Sequence, residues 1–167
     1  MQPDEIYRET VPFPLVKWIL AMEIGIAVSF LALFIYQLPE GLSWLYLGMF
    51  LLFVGVTVLI ANLIKLTISI TPQHITVAYG RISYSISWDN VEGFAPTSGP
   101  GIRYGGWGIR ITRVKGKWVL VYNVISSPGV VLELKSGRFR RFVFSTRHPD
   151  EVLNIAKQQI GSQHGPV

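Results

Sequence analysis

Basic residues around two predicted turns are the side chains whose spacing first suggests a function. Arg110, Arg113, Lys115 and Lys117 surround the first turn, and Lys135, Arg138, Arg140 and Arg141 surround the second. From residue 65 onward, thirteen Lys or Arg stand against five acids, a formal charge of +8, whereas the whole chain carries +5. If the two hairpins are neighbours, the eight cations form one patch that binds an anionic surface.

Anionic lipid headgroups and an acidic protein partner are the two predicted ligands of this patch. Nucleic acid is disfavoured, because the same chain carries two apolar segments of membrane-spanning length and a cytoplasmic leaflet is itself commonly anionic. A solvated basic rim that only assists orientation is the alternative.

Groups for catalysis or metal binding do not converge in the sequence. His74, His148 and His164 are widely separated, and none has a carboxylate at ligand spacing. The few acids give no carboxylate pair suited to general acid–base catalysis. Cysteine is absent, which excludes disulfides, thiolate ligands and a cysteine nucleophile. We therefore predict a non-enzymatic protein without metal or cofactor.

A glycine-rich stretch between residues 96 and 108 invites comparison with phosphate-binding loops. Its glycines are Gly99, Gly101, Gly105, Gly106 and Gly108. The Gly-Lys-Ser/Thr ending and the βαβ unit of such loops are both missing. We interpret the stretch as a flexible connection, whose Tyr104 and Trp107 pack locally or meet the membrane interface.

Two long apolar runs precede the basic part of the chain. Residues 18–36 contain one charged residue, Glu23, and residues 42–64 contain none. Each run can cross roughly 30 Å of hydrocarbon as a helix. The connection at residues 37–41, with Pro39 and Gly41, is so short that the helices must be antiparallel neighbours. An acidic N-terminus and the second apolar run argue against a cleaved signal peptide. The sequence predicts a transmembrane helical hairpin.

The basic residues that flank this hairpin predict its orientation. Arg8, Lys17 and Lys65 all lie on one side, and the short loop has no Lys or Arg. By the positive-inside rule both termini are cytoplasmic, so residues 1–17 form a cytoplasmic segment of a multi-pass cell membrane protein.

Glu23 needs a polar environment, because a carboxylate inside a span costs roughly 2.5–3.5 kcal/mol. With the helices centred near Ala27 and Phe53, Thr57 is level with Glu23 and is its predicted intramembrane polar contact. A second copy of the hairpin is the other candidate, and a protonated or water-reaching carboxyl is the alternative.

Small residues recur on both predicted helices and give each a thin face. They are Ala21, Gly25 and Ser29 on the first helix, and Gly48, Gly55 and Asn62 on the second. We expect these faces to meet, unless the small residues are scattered without a special contact.

After residue 64 the pattern changes to the alternation typical of half-buried strands. Strands are predicted at 66–71, 75–79, 82–88, 91–95, 108–114, 117–123, 130–134 and 139–144. The opposite face of the first three carries only Ser, Thr and Ala, and is either covered or solvated. Pro149 begins a helix that ends at Gly161, with an apolar stripe at Val152, Ile155, Ala156 and Ile160. Residues 162–167 are predicted to be disordered.

This order of elements resembles bacterial and archaeal membrane-anchored proteins with a pleckstrin-homology-like (PH-like) domain. The resemblance covers residues 18–64 as the anchor and 65–161 as the domain, and rests on the two apolar spans, two successive β-meanders and the closing helix. It implies a partly open β-sandwich plugged by a helix, which acts as a binding or assembly module. Lipid-binding members place basic residues around the first hairpin loop, where this chain has only His74, with Arg81 one turn later. The resemblance therefore does not extend to a phosphoinositide pocket.

The expected function is that of a membrane-tethered interaction module. In this hypothesis the hairpin anchors the chain and supports a homo-oligomer or a contact with another membrane protein, while the basic domain docks on lipid headgroups or a protein. The alternative is a structural subunit or assembly factor of a larger membrane complex. An enzyme acting on a lipid is the hypothesis that the residues support least.

Overall fold

The chain divides into two compact units in a computed structural model that describes residues 4–38, 43–97, 108–124 and 127–163. One unit is the continuous segment Phe13–Ile64. The other combines Met1–Pro12 with Lys65–Val167, so the first unit is inserted into the second. Several predicted features lie outside the described residues, namely Pro39 and Gly41, most of the glycine-rich stretch with Tyr104 and Trp107, and His164.

The inserted unit is a pair of long helices, α1 (Pro14–Tyr36) and α2 (Ser43–Ala61). Both are long and apolar enough to cross a membrane. The rings of Phe30 and Phe53 stack with centroids 5.5 Å apart, and the Phe13 amide donates to the Ile64 carbonyl at 3.0 Å. Because the outer ends of the unit meet in this way, the predicted antiparallel arrangement is confirmed.

The expectation that the small-residue faces meet is wrong. Ala21, Gly25, Ser29, Gly48 and Gly55 are all exposed. A methyl group added at any of these three glycines would meet nothing within 4 Å. The small side chain that is buried is Ala27, and Gly25 and Ser29 lie two residues from it, about 200° around the helix. The thin faces therefore point away from the α1–α2 contact.

In its described residues the second unit contains nine strands in two sheets, with a 3-10 turn at Trp88–Asn90 and a C-terminal helix, α3 (Pro149–Gln163). The strands are β1 (Tyr7–Pro12), β2 (Lys65–Ile70), β3 (His74–Tyr79), β4 (Ile82–Ser87), β5 (Val91–Pro96), β6 (Gly108–Val114), β7 (Lys117–Asn123), β8 (Gly129–Leu134) and β9 (Arg141–Ser145). Sheet A has the order β1-β2-β3-β4, and sheet B has the order β5-β8-β9-β7-β6.

Strand β1 was not predicted, because residues 1–17 were interpreted as an N-terminal segment without secondary structure. It pairs antiparallel with β2 from Tyr7 opposite Ile70 to Pro12 opposite Lys65. In the sequence, the two helices therefore replace the short turn that usually connects two neighbouring antiparallel strands.

Sheet B is not the second meander that the sequence suggested. Strand β5 pairs with β8, and β7 pairs in parallel with β9. The apolar run in β7 explains this position: Val119 and Val121 are buried on one face of the sheet, Leu120 and Tyr122 on the other. A strand that is apolar on both faces favours a central place in a sheet, whereas alternation favours a half-solvated one.

Aromatic side chains fill the space between the two sheets. The ring of Tyr79 lies 6.0 Å from that of Tyr122, and the ring of Tyr84 lies 5.3 Å from that of Phe142. Trp88 is 1% exposed and donates from Nε1 to the Thr71 carbonyl at 2.9 Å. The two layers thus share one core.

Helix α3 packs against β5, β8 and the 3-10 turn, with Val152 and Ala156 fully buried, and ends two residues later than predicted.

The predicted Ser/Thr face is solvated at the edge strand β4, where its three serines are exposed. On β2 and β3 the same face is half-buried.

Candidate binding site

The turn between β6 and β7 is a two-residue turn, as the sequence predicted. Lys115 has φ +49° and Gly116 has φ +80°, and positive φ at both central residues defines the type I′ turn that suits twisted hairpins. Lys115 within the turn and Lys117 directly after it are both exposed. The turn therefore presents two ammonium groups to the surroundings.

The parallel pairing of β7 with β9 brings the second basic turn beside the first. Both strands begin at the same end of sheet B, with Val119 opposite Arg141. The Arg140 amide donates to the Trp118 carbonyl at 2.9 Å, which links the two turns directly. The residues nearest the two turns are therefore neighbours at one end of sheet B. We call this set the basic tip: Arg113, Lys115, Lys117, Lys135, Arg138 and Arg140.

Two of the eight predicted residues do not belong to the basic tip. Arg110 lies four residues before the end of β6, roughly 13 Å along the strand from the turn. Arg141 donates from Nη2 to Glu133 Oε1 at 2.6 Å across the β8–β9 pair. Its charge is therefore already balanced by a carboxylate.

The arginines of the basic tip are fixed by local contacts. Arg113 donates from Nε to the Gly116 carbonyl at 3.1 Å, and its guanidinium carbon lies 5.7 Å from the centre of the Trp118 ring. Arg140 donates to the carbonyl of Lys135, and Arg138 lies 5.6 Å over the ring of Phe139. Over the described ranges, no carboxylate lies within ion-pair distance of a basic-tip residue. The tip is thus a preorganised, uncompensated cationic surface.

The basic tip lies at the end of the β unit remote from its connections to the helices. Asn90, just beyond the far end of β4, accepts hydrogen bonds from the Ser136 amide at 2.9 Å and the Ser136 hydroxyl at 2.8 Å. At the opposite end, Tyr79 donates to the Asn123 carbonyl at 2.6 Å. Five residues of β2 separate these ends, or about 17 Å. Pro12 and Lys65 lie at the Tyr79 end.

Comparisons with protein-family models, curated proteins and solved structures found no match. Within the described parts of the chain, no three His, Asp or Glu side chains are grouped closely enough to hold a metal ion.

Two exposed apolar side chains beside the basic tip escaped the sequence analysis. Ile111 is 50% exposed and Trp118 is 43% exposed. Outside the helical unit, only Ile6 and Ile82 among the described large apolar side chains are similarly exposed. The register places Trp118 opposite Arg113 and on the same face as Ile111. Counting back from the two-residue turn would have found this pair.

A buried carboxylate cluster around Glu9 was also missed. Glu9 is 8% exposed and accepts hydrogen bonds from the Tyr7 hydroxyl at 3.0 Å, the Arg147 amide at 2.7 Å and the Thr146 hydroxyl. Burial, and then the hydrogen bond to Glu9, raise the pKa of Tyr7 above its ordinary value. The cluster joins the strand that leads into α1 to the segment that begins α3.

The predicted hydrogen bond between Glu23 and Thr57 is not formed. Glu23 Oε2, Thr57 Oγ1 and Gln37 Oε1 are buried and have no hydrogen-bond partner among the described residues. The Phe30–Phe53 stack sets a register in which Thr57 is level with Ile26, about one helical turn from Glu23. The described part of the helical unit thus holds three buried polar side-chain atoms without a partner.

Proposed function

We propose that this protein is a non-enzymatic module, anchored in the cell membrane by α1 and α2, that binds an acidic protein partner through the basic tip. The observation that carries the proposal is the set of six uncompensated cations at the end of the β unit remote from Pro12 and Lys65. Anion binding by several positioned cations needs no catalytic group and is strongest where no carboxylate competes.

Membrane anchoring is supported by the outward surface of the helical unit. Trp44 is 74% exposed and Leu59 is 68% exposed, and apolar side chains of this kind surround both helices. So large an apolar surface is stable in lipid and unstable in water. The flanking cations favour cytoplasmic termini and a cytoplasmic β unit.

The cysteine-free chain allows a direct test of this orientation. A cysteine at Ser83, exposed on β4, should not react with an impermeant thiol reagent on intact cells. A cysteine at Glu40, which lies outside the described residues, should react. The opposite labelling pattern would invert the proposed topology.

A protein partner is favoured over the lipid in which the chain is anchored. A contact with that leaflet calls for cations near Pro12 and Lys65, whereas the basic tip lies at the opposite end of the β unit. Exposed Trp and Arg side chains at one site are also the residues that carry most of the energy in protein interfaces. An acidic protein that approaches the far end of the β unit satisfies both observations.

The binding experiment uses the full chain in nanodiscs of neutral phosphatidylcholine and a fluorescent decaglutamate peptide as the probe. We expect binding that weakens with added salt. Lys115→Glu with Lys117→Glu should lower the affinity by about tenfold or more. Arg81→Glu with Lys157→Glu changes the net charge equally at exposed residues that are not part of the basic tip, and should preserve the affinity.

A parallel measurement separates the two classes of anionic ligand. Vesicles that contain phosphatidylserine replace the peptide, and co-sedimentation of the nanodiscs reports binding. Capture by vesicles with no binding of decaglutamate would assign the tip to lipid. If neither probe binds the wild-type chain at low salt, the proposal fails.

A structural subunit of a membrane complex is the second candidate function, and the unsatisfied atoms of Glu23, Gln37 and Thr57 favour it. Polar atoms in an apolar setting gain most from a partner helix that supplies hydrogen bonds. Purification in mild detergent tests this candidate, since a stoichiometric membrane partner would support it and a lone chain would contradict it.

A further inference from the structure

We propose that the open edge of β6 accepts an extended acidic segment of the partner as an additional strand of sheet B. This inference rests on the proposed function and specifies how the acidic partner binds. Among the described residues, strand β6 is the last strand of its sheet and pairs with β7 alone. An edge strand of this kind offers a row of backbone groups to an incoming chain.

The turn geometry identifies which backbone groups face the open side. In a two-residue type I′ hairpin, the residues flanking the turn exchange both backbone hydrogen bonds, and the pairing alternates from there. Val114 and Thr112 therefore bond to β7, whereas the N–H and C=O groups of Ile109, Ile111 and Arg113 point outward. A partner strand of about five residues can pair with all three.

Charge makes this edge selective for an acidic strand. Arg110 extends from one face of β6 and Arg113 from the other, and both are exposed. Two copies of β6 placed edge to edge would bring these guanidinium groups together, which disfavours self-association. An acidic strand would instead place carboxylates beside Arg110, and Arg113, Lys115 and Lys117 add attraction at the end of the strand.

The other edges of the two sheets lack this combination. Strand β1 ends in Pro12, and β5 contains Glu92, Pro96 and a register shift between Val91 and Gly93. Proline and bulges interrupt strand addition, and an acid repels an acidic segment. Strand β4 carries no charge. The edge of β6 is therefore the one that attracts an acidic chain.

Ile111 and Trp118 provide an apolar anchor for the added strand. They lie on the same face, with exposed fractions of 50% and 43%. A partner side chain on this face would cover them, while its neighbours in sequence would face Arg110 on the other side. The expected recognition sequence alternates apolar and acidic residues.

The test uses the full chain in phosphatidylcholine nanodiscs with a labelled peptide of alternating Glu and Val, three of each. The competing probe is the same peptide with every backbone nitrogen methylated, which keeps the charge and removes all N–H donors. We expect the unmodified peptide to bind at least about tenfold more tightly, the difference made by one or two ladder hydrogen bonds. This comparison needs no change in the protein.

Variants of the protein provide an independent readout. Ile111→Pro removes an outward N–H that β7 does not use, and should weaken binding of the alternating peptide about tenfold while decaglutamate binding persists. Ser83→Pro is the matched control on β4. The Trp88 amide donates to the Gln73 carbonyl, on the side of β4 that faces β3. Backbone N–H groups alternate in direction along a strand, so the Ser83 N–H, five residues earlier, points to the open side as the Ile111 N–H does. Ile111→Ala tests the apolar anchor without touching the backbone.

The outcomes separate this inference from the proposed function. Equal affinity for the two peptides, or an unchanged affinity after both Ile111→Pro and Ile111→Ala, would overturn strand addition and leave a purely electrostatic tip. Loss of binding in Ser83→Pro as well as Ile111→Pro would also count against a specific edge. If decaglutamate fails to bind the wild-type chain, the proposed function itself is wrong.

Discussion

Replacement of Glu9 by alanine should destabilise the β unit more than any other change on β1. The carboxylate is buried and accepts hydrogen bonds from three donors, of which the Thr146 hydroxyl is fully buried and the Arg147 amide partly so. The Thr146 hydroxyl in turn accepts a hydrogen bond at 3.1 Å from the amide of His148, which is the last residue before α3. Removing Glu9 therefore leaves several donors unpaired around the start of that helix.

The magnitude follows from the number of hydrogen bonds that are lost. A hydrogen bond to a charged group contributes about 1.5–3 kcal/mol, and a buried donor left alone incurs a similar penalty. Because such contributions are not additive and the carboxylate is no longer desolvated, we expect a net loss of about 3 kcal/mol. At about 4 °C per kcal/mol for a unit of roughly 100 residues, the melting temperature should fall by about 12 °C.

The assay is thermal unfolding of the full chain in neutral nanodiscs, combined with amide hydrogen exchange. Exchange should accelerate in β1 and at the start of α3, with little change in α1 and α2. Thr10→Ala is the matched control, because Thr10 is the exposed neighbour on the same strand and its loss should change stability by less than about 0.5 kcal/mol. Equal melting temperatures for Glu9→Ala and Thr10→Ala would refute the reasoning.

Three further predictions concern other parts of the chain. Gly129→Ala should lower the stability of the β unit by about 1–3 kcal/mol in thermal unfolding, because the added methyl group would lie 2.5 Å from the Phe144 carbonyl oxygen. Gly93→Ala serves as the control, since its methyl group would meet nothing within 4 Å. Burial raises the pKa of Tyr79 in the folded chain, so the stability that the neutral phenol confers is complete below the unfolded pKa of about 10 and is lost as the pH rises above that value. In pH-dependent unfolding, Tyr79→Phe should reduce this alkaline loss of stability and cost about 1 kcal/mol at neutral pH. Glu23→Gln should leave membrane insertion unchanged in carbonate extraction, since Glu23 Oε2 has no partner to lose, and a chain released by carbonate would contradict this.

The elements that local chemistry determines were predictable from the sequence. Strict alternation located β2, and Lys115-Gly116 located the turn of the β6–β7 hairpin within one residue. Strand β1 was not recognised because its buried phase contains Tyr7 and Glu9 and only one aliphatic residue, Val11. Its partner strand also lies more than fifty residues away in sequence, so no short window contains the stabilising pair.

The order of the strands in sheet B could not be predicted, because turn residues determine which strands form a hairpin and not where each hairpin joins a sheet. The basic tip was predicted in outline, since two hairpins with cations at their turns form one patch whenever they are neighbours. The separation of Arg110 and the pairing of Arg141 with Glu133 depend on the register, which only the folded chain provides.

The insertion of the helical unit between β1 and β2 determines how the basic tip must be studied. A chain that begins at Lys65 lacks β1, so β2 becomes an unprotected edge, and the groups that Glu9 binds near Thr146 lose their acceptor. That segment leads directly into α3, whose Val152 and Ala156 are fully buried in the β unit. Sheet B carries the tip, and it shares its aromatic core with sheet A through Tyr84 and Phe142. A fragment without β1 would therefore report on a damaged scaffold, so binding at the basic tip has to be measured on a chain that retains residues 4–12.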